Sequence, residues 1–315
     1  MRWRDFVLAG AVSAGLTPPA EAQSVPAPPP IETITVIANG KGPAIWHATK
    51  NGADVAILGI VTPLPDGFAW NARPLETDLN NIRRVLLPPQ VRMGVFSGVW
   101  FYLTKSDLLH PPDGKSLSES LDPHVAADLA RISNVLHESK DRYNDNAPIL
   151  AAMRLGSDFR HVDNLTTHEP EDRIATLARA RRILVRRIAD YDLIPSGEEL
   201  LKLPPAATGT CIEAEIEDIE YQSRHVQAAA SAWAIGDVSG MLANWAPSHY
   251  YACLISLSPH ATALDARSID DTVASVTDAM TSGGRTLAIV PIGILLRKGG
   301  VIDRLKAEGI AISGP

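Results

Sequence analysis

A hydrolytic or metal-dependent centre needs imidazole, carboxylate or thiolate groups spaced so that a few elements present several of them together. In this chain such groups are scattered. His47 lies inside an apolar, strand-like run and is expected as a packed or hydrogen-bonded core residue. His110, His137, His161, His168, Glu169, His249 and His260 follow, none in the His-Glu-x-x-His register that places two imidazoles on one helix face. His168-Glu169 reads as the polar start of a helix. There is no Gly-x-Ser-x-Gly elbow, no Walker loop and no dinucleotide fingerprint. Arg173, Arg179, Arg182, Arg186 and Arg187 lie off the apolar stripe of residues 171–189, and a solvated helix face is the expectation for them.

The segment that must position any chemistry is DVAILGIVTPLP, residues 54–65. Its β-branched and aliphatic run suits a strand covered on both faces. Gly59 allows close backbone approach, and Pro63 and Pro65 cannot continue a ladder. Chemistry in open α/β sheets sits just past such a strand end. What stands there is Thr62 between aliphatic residues and prolines.

Residues 44–49 are expected to pair with this strand through a turn at Lys50-Asn51-Gly52, and residues 33–38 read as an earlier short strand. A helix over 75–82 and a strand over 84–87, stopped by Pro88-Pro89, come next. Residues 91–103 read as a strand pair or a strand and turn around Gly98. Helical spacing returns over 117–136, 148–155 and 171–189. From Cys211 to Gly236 a long helix is expected, with Asp237 capping a second arm that breaks at Pro247; both cysteines then lie at one end if residues 247–251 are extended and make up the length. Ser268 is expected to cap a helix to Met280. A buried strand over 286–290, a helix over 301–307 and a strand over 310–313 close the chain.

The chain has 315 residues and a formal charge of −7, which gives no general attraction for nucleic acid. Arg2 and Arg4, an apolar core over 6–16 and Ala20-Glu21-Ala22 form a secretory signal peptide, with cleavage expected after Ala22. About 11 apolar residues fall short of the ~20 that span a bilayer. The expected layout is therefore a signal peptide over 1–22, a proline-rich linker over 23–32 and one α/β domain over 33–315. That domain has a central mixed β-sheet flanked by helices and a helical insertion at about 117–283. The mature protein is expected in the periplasm or outside the cell, with no membrane span. Two cysteines in an exported chain imply a Cys211–Cys253 disulfide bounding a helical hairpin.

Three stretches resemble the TraB/PrgY/GumN family, related to the Tiki metalloproteases. They are AIWHATKNGADVAILGIVTPLPDGFAW followed by RRVLLP, the C-terminal RTLAIVPIGILLRKGGVIDRLKAEGIAI, and the cysteine-bounded CIEAEIEDIE, AWAIGDV and YYAC. The resemblance implies metal-dependent hydrolysis, with ligands at a Gly-x-x-His strand end, a Glu after the next strand and a later Gly-x-Gly-His loop. Those positions fall on Gly59 and Thr62, at or beside Pro88, and on Pro291, Gly293 and Ile294, so each polar member is replaced. The expectation is an exported, catalytically inactive protein acting as a binding or regulatory envelope module on a protein or peptide partner, with no cofactor and no metal. A hydrolase using displaced ligands such as His110, His161, His168 and Glu169 is the alternative. The pocket beyond Thr62 and Ile294 is expected to be apolar and closed to metal chemistry.

Overall fold

A computed structural model describes residues 42–315. The signal peptide, the cleavage after Ala22, the linker and the strand expected over 33–38 lie outside the described residues.

Strands β1 (Ile45–Lys50) and β2 (Ala53–Ile60) form an antiparallel hairpin. Asn51 and Gly52 at its turn have φ of 51° and 82°, the left-handed pair that a two-residue hairpin loop requires. Four further strands join the sheet: β3 (Ile82–Leu87), β4 (Leu184–Arg187), β5 (Arg285–Pro291) and β6 (Ala311–Ser313). Their order is β6-β1-β2-β5-β3-β4. Strand β2 is parallel to β5, which is parallel to β3, and β3 is parallel to β4. This is a mixed six-stranded sheet with helices packed against it, as the sequence implies. Ile60 lies opposite Pro291, so β2 and β5 end together and their following loops meet at one edge.

The α-helices of five residues or more begin with α1 (Arg73–Leu79), α2 (Val95–Lys105), α3 (Pro123–Val135), α4 (Pro148–Val162), α5 (Glu171–Ala180) and α6 (Ile194–Leu201). After them come α7 (Thr210–Ala234), α8 (Val238–Ala243), α9 (His249–Leu257), α10 (Pro259–Thr281), α11 (Ile292–Leu296) and α12 (Val301–Ala307). Aliphatic side chains of β2 and β5 form one core with Leu75, Ile174, Trp233, Val273, Leu295 and Leu305 from the surrounding helices. A second core, built from α3, α4 and the first half of α7, gathers Leu129, Leu155, Phe159, Ile212 and Ile216. Helix α7 therefore belongs to both cores, its second half placing Ala230 and Trp233 in the first.

Four local expectations need correction. Residues 91–103 form no strand pair: a three-residue strand, Gln90–Arg92, pairs with Asp190–Asp192, and α2 follows. Aromatic and β-branched residues there suit a sheet only where a partner strand is free, and β3 already has β5 and β4 on its two sides. Residues 171–189 are not one helix. Helix α5 stops at Ala180, Arg182 adopts φ 60°, and β4 continues the sheet. Val185 and Leu184 satisfy a helical stripe by coincidence, whereas pairing with Val85 and Arg84 satisfies their backbone groups. The segment after Pro247 is not extended to Tyr251, because Ser248 already caps α9 by accepting from Tyr251 N. Ser258, not Ser268, caps α10, accepting from Ala261 N; Ser268 lies mid-helix and donates to the Asp265 carbonyl at 2.7 Å.

The expected helical hairpin forms. Gly236 takes φ 76° after α7, and Asp237 caps α8 by accepting from Gly240 N at 2.8 Å. Cys211 and Cys253 are joined in a disulfide, their Cα atoms 5.5 Å apart. The bond ties the first turn of α7 to α9.

Candidate functional site

A cleft of about 470 Å³ opens at the edge where β2 and β5 end. Its floor is Ile60, Val61, Thr62 and Pro63 after β2, Pro89 and Val91 after β3, and Pro291, Ile292, Gly293 and Ile294 after β5. Its wall comes from the helical region: Asp218, Tyr221 and Gln222 of α7, Asn244 and Trp245 after α8, Ser248, His249 and Tyr251 at the start of α9, and Ser268 of α10. Arg297, just after α11, completes the lining. The strand ends thus bring Thr62, Gly293 and Ile294 into one site, with Pro88 buried directly behind Pro89.

Gly59 lies beneath the floor. A methyl group added there would stand 2.7 Å from Trp46 Cζ3 and 2.8 Å from Ile292 Cδ1. Its carbonyl accepts from Trp233 Nε1 at 2.8 Å, which anchors α7 to the sheet. Gly293 leaves room for Trp245, whose Cη2 would be 3.2 Å from an added methyl. The Pro88 carbonyl accepts from Arg187 Nη1 at 2.6 Å, and Arg187 Nη2 donates to Glu171 Oε1 at 2.6 Å. A guanidinium therefore holds the backbone at the position where the family resemblance implies a glutamate.

Val226, Ala229, Ala252, Ile255 and Leu264 also line the wall and keep the cleft mainly apolar, as expected, with a set of polar groups placed among them. Asp218 accepts from Ser248 Oγ at 2.6 Å and from the backbone N–H groups of His249 and Tyr250 at 2.9 and 3.1 Å. Its Oδ1 is also 3.1 Å from His249 Nδ1. This carboxylate on α7 thus satisfies orphan donors at the N-terminus of α9 and orients the imidazole, leaving Nε2 as the ring nitrogen available to a ligand. Ser248 and His249 both bind Asp218 rather than each other, so the Ser-to-His relay of a serine hydrolase is not formed. Arg297 is paired with Asp265 through Nη1 at 3.1 Å and Nη2 at 2.5 Å, and Tyr251 donates to the same carboxylate at 3.0 Å. The charges at the cleft are compensated within the protein. What it offers a ligand is amide, hydroxyl and imidazole groups above an aliphatic floor.

The remaining histidines do not gather. His47 Nδ1 is 3.0 Å from Asp54 Oδ1 on the hairpin, and His110 Nδ1 is 2.8 Å from the Asp145 carbonyl. His260 binds Glu199, His137 occupies a turn with φ 60°, and His161 ends α4. The His168 carbonyl accepts from Asp172 N at 3.0 Å at the start of α5, beside Glu169. Among the described residues, no group of three or more His, Cys, Asp or Glu side chains is arranged to hold a metal ion. Thr62, Pro88 and Ile294 supply one weak neutral hydroxyl between them, so the residues present do not fit a hydrolytic metal. Of the candidate imidazoles and the candidate Glu169, only His249 lines the cleft, together with the family positions Thr62, Gly293 and Ile294. Asp218 gave no signal, because its partners lie 30 to 32 residues further along the chain.

A mixed α/β sheet whose parallel strand ends carry the cleft, roofed by a disulfide-bounded helical hairpin, defines the class. Residues 44–314 match the model of the TraB/PrgY/gumN family, and the chain belongs to that family. No curated protein and no solved structure matches it. Among the described residues no helix is long and apolar enough to cross a membrane.

Proposed function

We propose that this chain is an exported, catalytically inactive member of its family whose cleft binds an uncharged segment of a peptide or protein partner in the cell envelope. One observation carries the reading: Thr62 and Ile294 line one cleft, with Pro88 buried beside its lining residue Pro89, and the three supply no more than one weak neutral hydroxyl as a metal donor. A dehydrated metal ion seated there would lack compensating ligands, which costs several kcal/mol. The neutral hydrogen-bonding wall and aliphatic floor instead match the alternating amides and apolar side chains of a peptide. The export in this reading is supported by the sequence pattern of residues 1–22, two arginines, a short apolar core and Ala20-Glu21-Ala22.

Calorimetric titration of the disulfide-intact chain with zinc and manganese tests the first part. No binding at micromolar affinity is expected. Micromolar binding accompanied by ion-dependent peptide hydrolysis would overturn the inactive reading in favour of a hydrolase with displaced ligands. For the second part, uncharged peptides with apolar side chains are expected to raise the melting temperature of the native chain and not that of Trp245→Ala. An equal response from both would remove the cleft as the binding site.

A further inference from the structure

Helix α2 leaves nearly all of its side chains in solvent. Val95 is 79 % exposed, Phe96 92 %, Trp100 69 % and Leu103 73 %, with Val99 and Tyr102 also more than half exposed, and only Phe101 is buried. The helix touches its own chain through the turn at residues 106–109 and through α6. Polar residues normally cover a surface helix on its outer side, and a soluble monomer rarely shows a contiguous apolar patch beyond a few hundred Å². These six side chains together expose on the order of 800 Å², given ~150–250 Å² for each large aromatic. That equals the ~800 Å² which each partner contributes to a stable protein interface.

We propose that α2 is the contact of a two-fold homodimer, packing antiparallel against α2 of a second copy. Val95, Val99 and Tyr102 lie at i, i+4 and i+7, and Phe96, Trp100 and Leu103 repeat that spacing one position on, so the helix presents a straight double seam suited to a second helix. A two-fold contact is self-complementary, and an antiparallel pairing of residues 95–103 puts Val99 opposite its own copy. The charges at the patch favour a protein partner over a lipid surface. Both flanking cations are already paired within the chain, Arg92 with Asp190 at 3.3 Å and Lys105 with Glu198. The interfacial helices of membrane-bound proteins carry free Lys and Arg on their polar face, whereas this chain has a net charge of −7 and keeps these two cations occupied. The patch is a convex helix rather than a groove, so a facing helix buries it more completely than an extended peptide. The proposal is independent of what the cleft binds, although Val91, half exposed beside α2, belongs to the cleft lining and sets the dimer contact at its mouth.

Sedimentation equilibrium of the full chain across a dilution series is the direct test. Twice the chain mass is expected for the native protein, and the chain mass for Phe96→Asp/Leu103→Asp, with unchanged circular dichroism because both side chains are exposed. A second variant removes dependence on that mutant's behaviour. The two native cysteines are consumed in the Cys211–Cys253 disulfide, so Val99→Cys adds a single thiol, and air oxidation is expected to give a covalent dimer in high yield. A native chain that stays monomeric, a dimer unaffected by the double substitution with no Val99→Cys cross-link, or a monomer that sediments with phosphatidylcholine or phosphatidylglycerol vesicles through α2 would each overturn the proposal.

Discussion

Gly59 shows how a single missing side chain sets the position of the site. With Trp46 and Ile292 both buried against it, a Cβ has nowhere to go without moving the β1–β2 hairpin or α11. Gly59→Ala is expected to destabilise by ~1–3 kcal/mol, the usual cost of overpacking a close-packed core, read as a lowered denaturant midpoint with an unchanged slope. Glu215 makes a second residue-level case. It is buried in α7 and its pKa is pushed up to about 8, chiefly by loss of hydration and then by the nearby charge of Asp218, with Arg160 opposing. Gly156 supplies the space it fills, since any methyl there would overlap Glu215 Oε1. An acid whose folded pKa lies above its unfolded value near 4.5 holds its proton more tightly in the folded state. Its contribution to stability is therefore complete below about pH 4.5 and is lost as pH rises through about 8. Unfolding titrations at several pH values are expected to show this decline in the native chain and a flatter profile in Glu215→Gln. Parallel profiles would show that Glu215 does not titrate in that window.

At the scale of elements, α7 carries the architecture, since its two halves pack in different cores and its middle supplies Asp218 to the cleft. The disulfide fastens its first turn to α9, closing a separation of 42 residues. On the chain-entropy account such a loop stabilises by at most about 4 kcal/mol, so reduction is expected to lower the melting temperature visibly while leaving the sheet folded. This bond, the hairpin of β1 and β2, the buried strand β5 and the Gly236-Asp237 stop and cap were all legible in the sequence, because each rests on local rules: turn residues, aliphatic runs, cysteine count. The failures share a different cause. Residues 91–103 and 184–187 have the composition of strand and helix respectively, and only the occupancy of neighbouring sheet positions reverses both. The cleft floor was readable from Thr62 and Ile294, whereas the wall was not. The contacts of Asp218 with Ser248 and His249 join two helices through tertiary packing alone. Asp218→Ala is expected to cost ~1–3 kcal/mol, by orphaning buried donors at the start of α9, and thermal unfolding reads it.

Over the whole molecule, the sheet supplies a frame and the helical region supplies a lining. The frame keeps the parallel ends of β2 and β5 in register, with glycine at 59 and 293 where Trp46 and Trp245 press close. At the positions where the family resemblance implies ligands stand Thr62, Pro88 and Ile294. If the frame is intact, metal affinity should depend on how many donors are returned to it. A single imidazole gives an exchangeable contact, while three or more donors in a fixed geometry overcome the loss of the ion's hydration shell. Thr62→His alone is thus expected to leave zinc binding undetectable, and Thr62→His, Pro88→Glu and Ile294→His together to bring it into the micromolar range. The gain will be limited by Arg187, which stands 2.6 Å from the Pro88 carbonyl and would compete with the metal for a carboxylate placed there. Calorimetry of the native chain, the single variant and the triple variant gives the comparison, and circular dichroism confirms that each is folded. A folded triple variant with no more zinc affinity than the native chain would show that the strand ends no longer hold the spacing a metal requires. Loss would then have reached the frame as well as its side chains.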